Sequence, residues 1–304
     1  MKLKYAIYKL LKDFEVNHYK PFMKNFKIFK LYKESLENYE ALKSYVDVST
    51  MKKATGKLRE VQIQFLNFSV EIRDQLEKDL NVKMILGCGN LLGAVRHGGY
   101  IPWDDDVDFL LMREDYEKVI SYMTEHHLCF AGKKSKEVSK IIEENPNKLI
   151  GFHDYDMFSI VRGTDSKNYT QVDFFPVDFY KKDTSFEEIK QYASDLKEQM
   201  FYIQNVKGWF DFIRKELAKS KFSTEKSNKI YWGIDSMLFY ESLLRFKTAT
   251  NFFCYDDIFP LKKLKYENTE FWAPQNHKKL LTEMFGPNWM EIPSSVLSKH
   301  GRGR

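Results

Sequence analysis

Residues 82–112, VKMILGCGNLLGAVRHGGYIPWDDDVDFLLM, decide the fold of this chain. The stretch opens with the apolar run 82–86, which is typical of a short buried strand. Glycines then form a turn into a short helix, which we expect over residues 91–96. Residues 106–112 predict a second strand, and residues 113–125 predict a helix. Strands and helices that alternate in this way indicate an α/β protein.

The acidic residues at the start of the second predicted strand indicate a metal site. Asp106 and Asp108 are two residues apart, so the strand period places both carboxylates on one face. Asp104 extends the alternation, and Asp105 should point away from it. Two carboxylates so close repel each other unless a cation lies between them, and Mg²⁺ (or Mn²⁺) prefers oxygen ligands beside phosphates. We therefore expect a metal-dependent phosphoryl or nucleotidyl site.

Three other interpretations of the acidic stretch fit the sequence less well. An acidic solvated turn is disfavoured because the acids run directly into an apolar strand. A calcium-binding EF-hand loop is disfavoured because its sixth position is Phe109 where Gly is needed, and its twelfth is Asp115 rather than Glu. A sugar transferase with an Asp-x-Asp motif is disfavoured by the glycine turn upstream.

That glycine turn predicts a phosphate contact. Backbone amides at Gly89 and Asn90 lie where a helix is expected to start, and helix starts attract anions. Arg96 and His97 end the predicted helix, and either could meet a diphosphate. We therefore expect these four residues to bind the substrate.

A further carboxylate lies within a second apolar stretch, TQVDFFPVD at residues 170–178. Asp173 stands between apolar neighbours in a predicted strand, where an unpaired carboxylate would be costly. A metal ion or a basic partner should therefore be close to it. Arg162 is a candidate for substrate binding, and it could instead pair with Asp173.

The remaining pattern completes a mixed sheet with flanking helices. Apolar residues recur at three- and four-residue steps over residues 58–80, which predicts a long amphipathic helix ending at Asn81. Residues 158–162 and 170–179 predict strands. Residues 185–247 read as mostly helical, so we expect a helical C-terminal region.

Charge divides the chain into two parts. The net charge is +5, but residues 1–33 alone carry nine lysines against two acidic residues. We therefore predict a basic helical segment over residues 1–54, able to lie on an anionic membrane surface or to dock on the body, and a catalytic domain over residues 55–304. The nearly balanced charge of the remaining chain does not indicate nucleic-acid binding.

No apolar run or leader pattern indicates export, so we expect a cytoplasmic protein, peripheral at the inner face of the membrane.

The motifs resemble one known family. The stretch LGCGNLLGAVRHGGYIPWDDDVDFLLMREDY is similar to the core motif of the LicD family. This family of nucleotidyltransferase-fold enzymes includes bacterial phosphocholine transferases and fukutin-related ribitol-phosphate transferases. TQVDFFPVD and residues 266–293 resemble two further family blocks, so the resemblance runs from about residue 58 to residue 300. Asn90 stands where the family often has Thr or Ser.

The resemblance implies Mg²⁺ held by Asp106, Asp108 and Asp173, with Asp104 nearby. It also implies transfer of a phospho-alcohol such as phosphocholine from a CDP-activated donor onto a glycan or lipid-linked glycan. The product would be a modified cell-surface polysaccharide, lipopolysaccharide or teichoic acid. The alternatives are a nucleotide-sugar-dependent glycosyltransferase and a non-catalytic glycan- or membrane-binding protein.

Overall fold

A computed structural model describes residues 34, 35, 37, 38, 46–132, 137–154, 157–165, 167–203, 205–219, 226–245 and 250–292. Most of the predicted basic segment, residues 1–54, lies outside the described residues, including all of its lysine-rich part, residues 1–33. Cys88, Cys129 and Cys254 are free and half-buried. No helix within the described ranges is long and apolar enough to cross a membrane.

The described elements alternate between strands and helices, as predicted. Those preceding residue 182 are a 3-10 turn Val48–Thr50, α1 Gly56–Leu80, β1 Ile85–Leu86, α2 Cys88–His97, β2 Asp108–Met112, α3 Arg113–His126, β3 Leu128–Ala131, α4 Glu137–Glu144, β4 Ile150–His153, β5 Phe158–Gly163 and β6 Tyr169–Tyr180. Those after it are α5 Phe186–Met200, α6 Val206–Leu217, β7 Lys229–Trp232, α7 Met237–Tyr240, a π-helical turn Glu241–Arg245, β8 Phe253–Cys254, α8 Tyr255–Ile258, β9 Lys262–Tyr266, β10 Thr269–Ala273 and α9 His277–Phe285.

The strands form one mixed sheet, which confirms the predicted fold class. Its order is β3-β4-β5-β6-β2-β1-β10-β9, and β7 joins β6 to β8. The pairs β2–β6, β3–β4 and β1–β10 are parallel, and the other pairs are antiparallel. Helix α1 packs on β6 at the centre of the sheet and ends at Asn81, which adopts a left-handed conformation (φ 54).

Several predicted bounds differ from the structure. The first strand forms only at residues 85–86, and the second begins at Asp108 rather than at residue 106. Helix α2 begins at Cys88, three residues early, because Cys88 adopts a left-handed conformation (φ 43) that turns the chain directly into the helix.

The region 185–247 contains a strand that the helical pattern concealed. β7 pairs with both β6 and β8, and its apolar residues Ile230, Tyr231 and Trp232 are all buried. A strand that is covered on both faces loses the period-2 alternation by which sequence identifies it. The C-terminal region therefore combines helices with the four strands β7 to β10.

A buried ion cluster joins the start of α3, β6 and the chain after β7. Arg113 donates to Asp178 at 2.7 Å and to Asp235 at 2.8 Å, and both carboxylates are about 95% buried. Burial acts to raise the pKa of Asp235, but the charge and hydrogen bonds of Arg113 outweigh burial and hold that pKa below its ordinary value. The guanidinium therefore pairs with both buried carboxylates and keeps Asp235 charged.

We expect Arg113→Ala to lower the free energy of unfolding by about 3–5 kcal/mol, because it leaves two buried carboxylates uncompensated. Chemical denaturation measures the effect. Arg214→Ala is the control, because Arg214 is 81% exposed and 3.7 Å from its partner Asp211. It should cost less than about 1 kcal/mol. Equal losses in the two variants would contradict this prediction.

Candidate active site

Asp108 and Asp173 lie side by side in the sheet. β2 and β6 are parallel, and their register places Asp108 opposite Asp173. The Asp173 amide donates to the Val107 carbonyl at 3.0 Å, which fixes this register at the first residue of β2. Residues in register on neighbouring strands point to the same face and lie about 4.8 Å apart. The pairing therefore brings together two of the carboxylates that sequence identified.

Neutral donors hold Asp173 in place. Gln171 Nε2 donates to Asp173 Oδ2 at 2.7 Å, and Ser159 Oγ donates to Oδ1 at 2.5 Å. Asp173 itself is 8% exposed. Sequence reasoning missed both donors, although Gln171 shares a face with Asp173 because it stands two residues before it. Ser159 becomes visible only through the pairing of β5 with β6.

Arg162 lies on the other face of the sheet. Ser159 is opposite Asp173 and Arg162 is three residues further along β5, so their side chains point in opposite directions. Arg162 makes two bonds of 2.6 Å to Glu71 on α1 and stacks over Phe68. The bond to Glu71 raises the pKa of Arg162. The alternative pairing of Arg162 with Asp173 is therefore wrong, and Arg162 stands away from the carboxylate pair.

The acidic segment, residues 104–108, alternates between half-buried and buried positions. Asp104, Asp106 and Asp108 are half-buried, whereas Asp105 is 1% exposed and Val107 is 2% exposed. The strand begins only at Asp108, yet the alternation continues through the preceding extended residues. Asp105 is therefore separated from the other three carboxylates and belongs to the interior.

The first turn of α2 lies against a carboxylate. A Cβ atom added at Gly89 would lie 2.8 Å from Asp104 Oδ2, so glycine is the residue that lets Asp104 approach. A helix N-terminus carries a partial positive charge and stabilises an anion. The turn that was predicted to hold a phosphate therefore faces the side chain of Asp104.

Asn90 is buried and connects three elements. Its Oδ1 accepts from the Asp108 amide at 2.7 Å, and its Nδ2 donates to the Tyr266 hydroxyl at 2.9 Å. The side chain is 1% exposed. Both ends of the amide are therefore engaged by β2 and β9.

Arg96 and His97 connect α2 to the C-terminal segment. Arg96 Nη1 donates to the Trp289 carbonyl and Nε donates to His97 Nε2, both at 2.9 Å. Burial lowers the pKa of Arg96 to about 10, although the charge of Asp104 opposes that change. Burial and the charge of Arg96 lower the pKa of His97 to about 4, so the imidazole is neutral at pH 7.

Tyr100 places a protonated hydroxyl beside the acidic segment. The residue is 3% exposed, and its hydroxyl has no hydrogen-bond partner among the described residues. Burial raises the pKa of Tyr100, and the charges of Asp104 and Asp106 raise it further. The sequence around Tyr100 did not indicate that its hydroxyl is buried near the acidic segment.

The donor set fits Mg²⁺. Within the part of the chain that the structure describes, no three His, Cys, Asp or Glu side chains are grouped as a metal cage. Mg²⁺ seldom uses such a cage, because it keeps several waters and binds through one or two carboxylates plus substrate phosphates. The Asp108–Asp173 pair supplies two such carboxylates, and Tyr100 leaves a buried polar atom beside the acidic segment.

Comparison with known proteins identifies the domain that carries this site. The family model described as "LicD/FKTN/FKRP, nucleotidyltransferase domain" matches residues 81–207. This range includes the acidic segment, helix α2 and the strand that bears Asp173.

Curated relatives match shorter parts of the chain. The lipopolysaccharide cholinephosphotransferase LicD of Haemophilus influenzae is 41% identical over 70 residues, which cover 23% of this chain and 25% of the relative. An uncharacterized protein of Rickettsia typhi is 34% identical over 101 residues, with 33% of this chain and 30% of the relative covered. The chain thus spans about a quarter to a third of the length of these relatives. Together with the match to the family model, they confirm the resemblance: residues 81–207 of this chain are similar to the LicD nucleotidyltransferase domain.

Proposed function

We propose that this protein is a metal-dependent phosphotransferase that moves a phospho-alcohol, such as phosphocholine, from a CDP-linked donor onto a hydroxyl of a cell-envelope glycan. The observation that carries the proposal is the in-register pair Asp108 and Asp173; Asp104 and Asp106 share with Asp108 the half-buried side of the acidic segment. The family match and the cholinephosphotransferase relative support the class of donor and acceptor.

The carboxylates supply the chemistry of the proposed site. Asp108 and Asp173 would hold Mg²⁺, and Asp104 and Asp106 precede Asp108 in the acidic segment. The ion would neutralise a diphosphate and stabilise charge on a leaving phosphate. Gln171 and Ser159 keep Asp173 in one orientation, which lowers the cost of organising the site during the reaction. A carboxylate of the acidic segment can take the proton of the attacking hydroxyl. Tyr100, held neutral, can donate a hydrogen bond at the same place.

Charge favours a divalent cation at this site. Arg96 and Arg162, the two arginines expected near the donor, bond to backbone carbonyls and to Glu71. The carboxylates of Asp108 and Asp173 and a diphosphate repel each other unless a cation compensates them. A divalent metal is therefore the natural counter-charge.

The acceptor class is a separate part of the proposal. Teichoic acid and lipopolysaccharide are both suitable acceptors for the transferred group.

The first prediction tests the carboxylates. We expect Asp108→Asn and Asp173→Asn each to fold normally and to lose at least about a hundredfold in rate, which corresponds to about 3 kcal/mol of transition-state stabilisation. Asp211→Asn is the matched control, because Asp211 is 54% exposed on α6. Asp105 is unsuitable as a control. Because it is buried, Asp105→Asn would also change the free energy of unfolding. Full activity in Asp108→Asn at an unchanged unfolding temperature would refute the proposal.

The second prediction identifies the reaction. A phosphotransferase breaks the bond between the two phosphates of its donor and releases CMP, whereas a sugar transferase releases a nucleoside diphosphate and a nucleotidyl-adding enzyme releases pyrophosphate. We expect chromatography of the spent nucleotide to show CMP, and phosphorus NMR of the glycan to show a phosphodiester. Release of UDP or pyrophosphate would favour one of the other enzymes. Absence of any nucleotide release across a donor panel would favour a non-catalytic binding protein.

The third prediction concerns the basic segment, which lies outside the described residues. We propose that residues 1–33 bring the enzyme to the cytoplasmic face of the membrane, since each well-placed lysine contributes about 1 kcal/mol of attraction to anionic lipid. Co-sedimentation with anionic vesicles should fall when residues 1–33 are deleted, and it should also fall at high salt. Equal sedimentation of the two proteins would exclude this role.

A further inference from the structure

The two ends of the acidic segment are held by side-chain amides from different helices. At one end, Gln62 Nε2 on α1 donates to the Asp104 carbonyl at 2.9 Å. At the other end, Asn90 Oδ1 on α2 accepts from the Asp108 amide at 2.7 Å. Both amides are 1% exposed, so water does not compete for these bonds.

Further hydrogen bonds fix the orientation of each amide. Gln62 Nε2 also donates to the Ile101 carbonyl at 3.2 Å, and Gln62 Oε1 accepts from Arg59 at 3.2 Å. Asn90 Nδ2 donates to the Tyr266 hydroxyl at 2.9 Å. A flipped Asn90 would set its NH₂ group against the N–H group of Asp108, which cannot form a hydrogen bond. The amides therefore have one favourable orientation each.

Asn90 supplies the hydrogen-bond acceptor for the Asp108 N–H group at the point where β2 begins. β2 begins at Asp108, where the Val107 carbonyl accepts from Asp173 and the Asp108 carbonyl accepts from Gly87 at 3.4 Å. The remaining backbone group of Asp108, its N–H, receives its acceptor from the Asn90 side chain. The backbone of Asp108, whose side chain lies beside Asp173, is therefore held through both its N–H and its carbonyl group.

We propose that Gln62 and Asn90 are positioning residues that hold the backbone of residues 104–108, so that Asp108 presents its carboxylate beside Asp173 at the proposed metal site. This inference rests on the proposed function. It gives Asn90 a role in place of the substrate contact that its sequence position predicted, and it adds Gln62, which lies upstream of the matched domain. Neither side chain contacts the metal, and each acts through the backbone of the acidic segment.

The test is a titration of the full-length protein with Mn²⁺. The electron paramagnetic resonance signal of the free ion measures how much Mn²⁺ is bound. Groups that orient metal ligands typically contribute about 10- to 100-fold in affinity. We therefore expect Asn90→Ala and Gln62→Met each to weaken Mn²⁺ binding at least about tenfold relative to the unsubstituted protein. Turnover of the variants should recover in part as the Mg²⁺ concentration rises.

The control is Ser69→Ala. Ser69 is a fully buried polar residue of the same helix α1, and its hydroxyl donates to the Phe65 carbonyl within that helix. Its substitution should leave Mn²⁺ affinity unchanged even where it lowers the unfolding temperature. Where Asn90→Ala or Gln62→Met does not fold, Asn90→Ser or Gln62→Asn replaces it, because each retains a polar group on a shorter side chain.

The outcomes separate the two proposals. If the unsubstituted protein binds Mn²⁺ and the folded Asn90 and Gln62 variants bind it equally well, the positioning role is overturned while the proposed function stands. If the unsubstituted protein binds no Mn²⁺ and releases no nucleotide, the proposed function fails, and the positioning role fails with it. Weaker binding in the variants at a matched unfolding temperature, beside an unchanged Ser69→Ala, supports the inference.

Discussion

The parallel pairing of β2 with β6 is the contact on which the candidate site depends. It places Asp108 opposite Asp173, while the next pair along the strands, Phe109 and Phe174, faces the other side of the sheet and is fully buried. A shift of one residue in one strand would exchange a phenylalanine for a carboxylate in the core. Apolar packing on one face therefore enforces the approach of two like charges on the other.

Negative charge collects at this place because its basic neighbours bond elsewhere. Arg96 binds carbonyl groups of the C-terminal segment, and Arg162 binds Glu71 across the sheet. Asp104 rests against the first turn of α2, where the helix dipole offsets part of its charge. Such a site favours a cation that brings its own waters and shares phosphate ligands, which is the coordination that Mg²⁺ prefers.

The site is completed by residues that lie beyond the matched domain. Tyr266 on β9 accepts a hydrogen bond from Asn90, and the neighbouring Glu267 accepts from the Tyr100 amide at 3.2 Å. Burial acts to raise the pKa of Glu267, but its hydrogen bonds with Arg59, Lys53 and the Tyr100 amide lower it to about 2. The turn between β9 and β10 thus holds the loop that leads into the acidic segment. The C-terminal strands have a structural reason to accompany this domain.

Local chemistry alone determined a large part of this protein. Strand and helix periods require no knowledge of distant residues. They predicted the shared face of Asp104, Asp106 and Asp108, the long helix that ends at Asn81, and the strand that carries Asp173. Tertiary structure decided which of these groups meet. It set Asp173 beside Asp108, turned Arg162 to the opposite face, and directed the Asn90 side chain to the backbone amide of Asp108. Strand order and register depend on packing between segments far apart in the chain, and a sequence read along its length does not contain those contacts explicitly.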